Sequence, residues 1–525
     1  MSMKRDWVVS GLLVFACAIP ALALWRHSSY LTGDSYQYLR GALSFSQGRG
    51  LRDMSGNPFI VLTPLYPIVV GTAYHLFANA NIETTARLVS FAGATVAVVA
   101  LYWLMRIRYS LWISLAAAML FALLPLRVWS SLWALSEGLF VGLLMLGLSA
   151  FFRSGKRGWV TCASGTLLGL AYLTRPEATV CFAALVVFSL LNFAADRKKP
   201  ALLLAGFLLV ALPYHGWVYQ ATRNPSAGRL QILLAQSQSI YEGNMSRVLV
   251  FNQANADGTS TQPLRSAMSL GAIGKRYWFF GRLEIERLLY LLGPHLLVIG
   301  LLLAGALFWL WRNIAGARSF QLANPWTIAL ALWLFFLPFL HVEDRYLLQV
   351  APAFLVWLVL IVAGIFKLVA ARLPDQRKTI VQVIPAALLS VFLLSYGYRL
   401  ATQIPQRDPS LLARGTAHWL EAEKLSPVPI LSQTPDLAFF SNGLHLWMPA
   451  GEPDHVVKYA EKNGARYIYV SSQDVSTPLN ELLLGDSGAA PNSLKLVHEE
   501  TDGSARSRLF EVNSNDRVIV SNLHL

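Results

Sequence analysis

The chain has 525 residues, 55% of them hydrophobic and 14% charged, with a mean hydropathy of +0.47; soluble chains carry about 25% charged residues, so a soluble enzyme is excluded. The formal charge of +14 falls in short clusters between apolar runs, which is the positive-inside signature of a membrane protein rather than a nucleic-acid surface. Cys17, Cys162 and Cys181 all lie inside apolar runs and give neither a disulfide framework nor metal-ligand spacing.

In chain order, the first apolar run is 7–25, behind Lys4 and Arg5. It is longer than a signal-peptide core and has no small-residue cleavage site, so it reads as a retained first span. Basic clusters follow at Arg106/Arg108, Arg153/Lys156/Arg157, Arg197/Lys198/Lys199, Arg312/Arg318 and Lys367/Arg372/Arg377/Lys378, all placed in the cytoplasm with the N-terminus. Between them lie apolar segments at 85–105, 111–126, 136–152, 158–173, 178–194, 201–219, 287–311, 326–341, 346–366 and 379–397. Each is long enough to cross or nearly cross the bilayer, giving about eleven transmembrane helices. The stretch 59–78 breaks the alternation, because counting it as a span would turn every later cluster outward. With its Pro64-Leu65-Tyr66-Pro67 start, it is assigned to the outer interface as a juxtamembrane or re-entrant helix.

The outer side then carries a first loop (26–87), a loop at 220–282 and everything after Arg399. From there Asp, Glu, Asn, Gly and Ser are frequent and apolar runs short. His455 to Asn463 has helical spacing, Asn463-Gly464 ends it, Arg466 to Ser471 alternates as a strand, and Leu494 to Val512 reads as a hairpin. The predicted fold is an α-helical polytopic unit over 1–399, in the cell (inner or plasma) membrane, and an extracytoplasmic soluble α/β domain over 400–525.

There is no GxxxxGK[ST], no GxGxxG after a strand, no HExxH and no CxxC, so ATP hydrolysis and zinc chemistry lose support. What remains is a set of ionisable residues beside the spans on the outer side, where such groups are scarce and usually have a use. Asp34, in Gly33-Asp34-Ser35-Tyr36-Gln37-Tyr38-Leu39, reads either as a helix N-cap or as a base taking a proton from an attacking hydroxyl. Glu137, in Leu135-Ser136-Glu137-Gly138, enters an apolar run and reads either as a functional carboxylate needing a partner or as a first-turn Glu favoured by the helix dipole. In Thr174-Arg175-Pro176-Glu177, Glu177 fits a helix start, while Arg175 stands against the positive-inside bias and could pair with a lipid phosphate. In His341-Val342-Glu343-Asp344-Arg345-Tyr346, Arg345 suits a phosphate or a salt-bridged turn with Glu343 and Asp344; a metal site starting at His341 is weakly supported.

Taken together, Gly33-Asp34-Ser35-Tyr36-Gln37-Tyr38-Leu39, Thr63-Pro64-Leu65-Tyr66-Pro67, Ala86-Arg87-Leu88, Leu135-Ser136-Glu137, Leu173-Thr174-Arg175-Pro176-Glu177 and Asp344-Arg345-Tyr346-Leu347 resemble the C-type integral-membrane glycosyltransferases, near the family 39 or protein O-mannosyltransferase branch that also contains aminoarabinose transferases. The motifs extend over about the first 350 residues. The resemblance implies a sugar donor on a polyprenyl phosphate, used on the outer face with inversion and delivered to an extracytoplasmic protein, lipid or glycan acceptor. It places Asp34 as the base and Glu137 as a second acidic residue, with Arg345 and Arg175 as ligands of the donor phosphate. Tyr38, Tyr66, Arg87 and Tyr346, on the same motifs, and His341, shortly before the last of them, are expected to bind substrate. Ser35 follows Asp34 where the best-known members pair Asp with Glu, so a divalent cation is not indicated and no metal site is assigned. The expected partners are the lipid-linked donor and membrane lipids, with no nucleic acid. A polymerase or ligase of lipid-linked glycans is the nearest enzymatic alternative, and a lipid-linked glycan flippase or other transporter the non-enzymatic one. Transporters often carry repeats and charged or broken helices near the midplane, whereas here the charges gather at outer loop edges.

Overall fold

The computed structural model describes residues 3–27, 31–60, 62–77, 81–191, 197–222, 252–254, 256–257, 261–263, 270–292, 344–372, 375–402, 410–474, 476–485 and 491–513. Its helical part runs α1 (Met3–Leu24), α2 (Gly33–Ser46), α3 (Leu65–Leu76), α4 (Ile82–Met105), α5 (Leu111–Leu123), α6 (Pro125–Leu132), α7 (Glu137–Arg153), α8 (Gly158–Thr174), α9 (Ala178–Leu191) and α10 (Lys199–Thr222). There follow a small hairpin, β1 (Asn252–Ala254) with β2 (Thr261–Pro263), then α11 (Leu270–Leu292), a 3-10 turn at Asp344–Gln349, α12 (Ala351–Arg372) and α13 (Asp375–Thr402). Among the described residues three helices, Lys4–Leu24, Ile82–Met105 and Lys199–Ala221, are long and apolar enough to cross a membrane, and the bent pair α5 and α6 makes a fourth if counted as one span. The chain is a polytopic helical membrane protein with a small C-terminal sheet. Residues 293–311 of the expected span 287–311, and all of the span 326–341, lie outside the described residues, as do 223–251 of the second outer loop.

Alternation of direction shows in which ends meet. Arg106 at the end of α4 pairs with Asp6 at the start of α1, 2.9 Å apart. Arg153 at the end of α7 donates to the Trp103 carbonyl, and Lys199 at the start of α10 lies 4.5 Å over the Phe151 ring. The basic ends of these helices therefore form one end of the bundle. The other end holds Trp25, Arg87, Leu132, Glu137 and Arg175.

Helix association inside lipid cannot rely on the hydrophobic effect, so it draws on close backbone approach at small residues. A Cβ on Gly138 of α7 would overlap the Ser90 carbonyl oxygen of α4, and one on Gly206 of α10 would overlap the Cys162 carbonyl oxygen of α8. Gly206→Val is accordingly expected to cost about 3 kcal/mol or more by overpacking, read as loss of the monodisperse folded peak in detergent.

Two expectations need correction. The apolar run 111–126 is not one straight helix: it breaks between α5 and α6 with a 54° bend. Pro125 brings no N–H and holds Leu124 in an extended conformation (φ −56°, ψ 122°). Arg127, just past the expected end of that run, lies in α6 and is buried. The boundary between the outer loop (220–282) and the span from 287 also shifts, since α11 begins at Leu270 and runs unbroken across it. Its inward stripe is Arg276, Phe280 and Glu284, while Lys275, Trp278, Arg282 and Ile285 face outward. An amphipathic helix of this kind escapes a search for apolar runs. The stretch 59–78 contains α3 of twelve residues, about 18 Å long, too short for about 30 Å of hydrocarbon. It packs on α2 so closely that a Cβ on Gly71 would sit 2.6 Å from the Ala42 carbonyl oxygen.

The C-terminal part is α/β. Helix α14 (Leu411–Ala422) leads to β3 (Pro429–Ser432), α15 (Asp436–Phe440), β4 (Leu444–Trp447), α16 (Pro453–Lys462), β5 (Tyr467–Ser471), α17 (Pro478–Leu484), β6 (Leu494–Asp502) and β7 (Ala505–Val512). The five strands order as β4-β3-β5-β7-β6, with β3 parallel to β4 and β5 and the β6–β7 hairpin antiparallel. The predicted helix, strand and hairpin each appear within two residues. This unit sits on the first loop: Tyr36 of α2 packs between Phe439 and Phe440, at 5.6 and 5.8 Å between ring centres. Arg414 pairs with Glu83 at 2.9 Å. The His445 N–H donates to the Met54 carbonyl, and the Ser55 hydroxyl donates to the carbonyl of His445.

Two carboxylates, Asp436 after β3 and Asp474 after β5, share the Thr434 hydroxyl at 3.0 and 3.5 Å. Burial pushes Asp436 up to about 6, against hydrogen bonds from Leu437 and Thr434; burial and then the Asp436 charge push Asp474 up to about 8. Both folded values exceed the ordinary 3.8, so the folded domain binds more protons than the unfolded chain and loses stability as pH rises from about 4 through about 8. Thermal unfolding should show a lower midpoint at pH 8.5 than at pH 5. Asp474→Asn should remove most of that slope and stabilise the protein at pH 8.5 by about 2 kcal/mol.

Candidate active site

The site is built at the end of the bundle away from the basic clusters, from α2, α7, the turn between α8 and α9, and the 3-10 turn before α12. Helix α2 begins where Thr32 caps it: the Thr32 hydroxyl accepts from the Ser35 N–H, and the Ser35 hydroxyl accepts from the Thr32 N–H, a reciprocal capping box. Asp34 is therefore not the N-cap. It stands in the first turn, where the dipole favours a carboxylate, and its Oδ2 is 2.9 Å from an Nη1 of Arg345, with side chains 30% and 17% exposed.

Behind this pair lies a fully buried frame. Arg175 is in extended conformation between α8 and α9 (φ −154°, ψ 128°), which directs it back into the bundle. Its guanidinium bonds Glu137 through one nitrogen and Glu177 through another, the latter at 3.0 Å. All three side chains are under 7% exposed. Burial works against the charge of Arg175, and Glu177 with Glu137 outweighs it, holding the guanidinium well above its ordinary pKa. Glu137 Oε1 also lies 3.8 Å from Arg345, while its Oε2 is buried with no hydrogen-bond partner among the described residues. Tyr346 is packed by both guanidiniums, with Arg175 at 4.7 Å and Arg345 at 5.4 Å from its ring centre. Glu137 is thus a first-turn residue of α7 and a buried ion partner at once. Glu177 is a partner of Arg175 as well as the approach to α9.

The neighbouring motifs hold this frame in place. Tyr38 donates its hydroxyl to Ser136, immediately before Glu137, at 3.1 Å. The Tyr66 hydroxyl bonds the Ala86 carbonyl at 2.9 Å and the Ser90 hydroxyl at 2.8 Å, and Ser90 in turn donates to the carbonyl of Leu135. Thr63 donates to the carbonyl of Thr174, next to Arg175. Tyr38 and Tyr66 are packed edge to face at 5.0 Å, both buried. Arg87 lies apart from the ion cluster: it donates to the carbonyls of Leu132 and Trp25 and covers the Trp25 ring at 4.0 Å.

The structure thus brings Asp34, Glu137, Arg175, Arg345 and Tyr346 together, with Tyr38 and Tyr66 in the layer behind them. His341 and Glu343 lie outside the described residues. Among the described residues no three His, Cys, Asp or Glu side chains are placed to hold a metal ion. Sequence reasoning missed Arg276 and Glu284 on the inward stripe of α11, a helix that packs on the 3-10 turn carrying Arg345. Their signal was the spacing of eight between two ionisable residues of opposite sign with Phe280 midway.

No protein-family profile and no curated protein matches the chain. Solved structures do. ArnT from Cupriavidus metallidurans bound to undecaprenyl phosphate superposes with a TM-score of 0.60 at 13% identity, over 96% of this chain and 98% of ArnT. The oligosaccharyltransferase of Archaeoglobus fulgidus in its apo form gives 0.57 at 13% identity, over 89% of this chain and 70% of its own. The archaeal oligosaccharyltransferase AglB from the same organism, in complex with an inhibitory peptide and a dolichol-phosphate, gives 0.54 at 14% identity, with the same coverage. The chain thus shares its fold with ArnT and with the archaeal oligosaccharyltransferase.

Proposed function

We propose that the chain is a multi-pass membrane glycosyltransferase that moves a sugar from a polyprenyl-phosphate donor to an acceptor hydroxyl on the extracytoplasmic face. The observation that carries this reading is the part-exposed Asp34–Arg345 pair seated on the buried Glu137–Arg175–Glu177 frame. A carboxylate and a guanidinium side by side at the rim of an apolar bundle support a proton acceptor next to a phosphate-binding cation. The undecaprenyl phosphate of ArnT and the dolichol-phosphate of AglB support a lipid phosphate as the carrier, and the basic clusters at the opposite end support an outward-facing site.

In this mechanism Asp34 accepts the proton of the acceptor hydroxyl as its oxygen attacks the anomeric carbon. The bond from that carbon to the phosphate oxygen breaks, its electron pair stays on the phosphate, and the anomeric configuration inverts. A phosphate leaves without being protonated when a cation holds its growing charge, the task given to Arg345 with its planar donor fork. A second carboxylate acid, which glycoside hydrolases need for an alkoxide leaving group, is unnecessary. Glu137 and Arg175 act by fixing the site, together with Tyr38, Tyr66 and Tyr346.

The test supplies the purified protein in nanodiscs with radiolabelled polyprenyl-phosphate sugars and candidate acceptors. Label in the acceptor with release of lipid phosphate is the expected result. Transfer only of an oligosaccharide from a diphosphate carrier would replace the proposal with the ligase reading, and donor binding with no transfer would replace it with a transporter.

A further inference from the structure

The pair at the rim of the site poses a chemical conflict. A carboxylate facing a guanidinium at 2.9 Å is a weakened proton acceptor, because the adjacent cation favours its ionised form. The leaving phosphate needs a cation at the same moment, and the two arginines are not equally able to provide one. Arg175 is clamped between two buried carboxylates. Drawing it toward a ligand would take the shared cation from two buried carboxylates, which costs several kcal/mol. Arg345 is part-exposed, its partner Asp34 is more exposed still, and Glu137 at 3.8 Å is beyond hydrogen-bond length. Moving Arg345 therefore leaves behind a carboxylate that water can reach and a Glu137 still neutralised by Arg175.

We propose that the Asp34–Arg345 pair is a substrate-operated interlock: the donor phosphate draws Arg345 away from Asp34, and only then does Asp34 become the base. The proposal rests on the function given above and adds an order to it. Before the donor arrives, Asp34 is held ionised and weakly basic, so an acceptor hydroxyl gains nothing from it. Once Arg345 binds the phosphate, Asp34 regains proton affinity where the anomeric carbon now lies. In the transfer step the hydroxyl proton passes to Asp34, and the pair from the broken carbon–oxygen bond stays on the phosphate, where Arg345 already is. Among the described residues, the other charged and titratable groups around the pair include Glu137 from α7, Arg175 and Glu177 from the α8–α9 turn, and Tyr346 beside Arg345.

The experiment compares acid limbs of pH–rate profiles. The limb of kcat/KM for the donor reports the free enzyme, and that of kcat the donor complex. In the wild type the kcat limb is expected about one pH unit above the kcat/KM limb. In Arg345→Gln the kcat/KM limb is expected to have risen to within about half a unit of the wild-type kcat limb. Single turnovers with excess enzyme give the profile if this variant is slow. Coincident limbs in the wild type, or an unmoved kcat/KM limb in the variant, overturn the interlock. Retention of radiolabelled undecaprenyl phosphate is measured alongside. Binding and transfer with coincident limbs defeat the interlock alone, whereas neither binding nor transfer by the wild type defeats the underlying function and the interlock with it.

Discussion

Asp34→Asn is expected to lower sugar transfer about 10³-fold while leaving the protein folded. The first half of that expectation follows from the loss of a general base, which contributes about 10² to 10⁴ in rate. The amide keeps the shape and can still touch an acceptor hydroxyl but cannot take its proton. The second half follows from how α2 begins. Thr32 and Ser35 cap the helix through each other's N–H groups, so the cap does not depend on the residue 34 side chain. What the variant loses is a favourable dipole position, about 0.3–1 kcal/mol, and a part-exposed ion pair worth about 1 kcal/mol at most. Wild-type melting with transfer reduced to background, in the nanodisc assay above, is the expected pairing of results. Transfer equal to the wild type would remove Asp34 as the base.

The membrane unit was legible because its evidence is local. A run such as 85–105 declares itself by composition, and the basic residues behind each run fix which ends share a side. The α/β domain was legible for the same reason, with Asn463-Gly464 ending a helix and the strands of the hairpin alternating. The break at Pro125 was written in the sequence too, through the missing N–H and the restriction on Leu124. What could not be read was pairing at a distance. Nothing local says that Glu137 meets Arg175, 38 residues on, or that Arg345 reaches Asp34. The hydroxyls of Tyr38 and Tyr66 had no visible destination, and bond Ser136, Ser90 and the Ala86 carbonyl in the fold. The motifs were found in order along the chain; only the crossing of α2, α4 and α7 turns that order into a site.

Arg175→Met should produce the largest stability loss of any single change at the site, about 3–5 kcal/mol, read as a lower unfolding midpoint in detergent. The argument is asymmetric. Removing the cation leaves Glu137 and Glu177 buried together, each nearly inaccessible to water, and each must then take up a proton or bear an unscreened repulsion. Glu137→Gln is milder, because Glu177 still neutralises the guanidinium at 3.0 Å and an amide can accept from it. Replacing all three together, Arg175→Met with Glu137→Gln and Glu177→Gln, should recover most of the lost stability, since buried ion networks are often no more stable than uncharged replacements of similar volume. Activity should not recover with it: the triple variant keeps Asp34 and Arg345 but has lost the charged floor beneath Arg345, and Tyr346 has lost the guanidinium packed on its ring. A variant that regains its unfolding midpoint while transfer stays low separates the two duties of the frame. Holding the helices together needs only filled volume and satisfied polar atoms, whereas setting Arg345 opposite Asp34 needs the charges themselves.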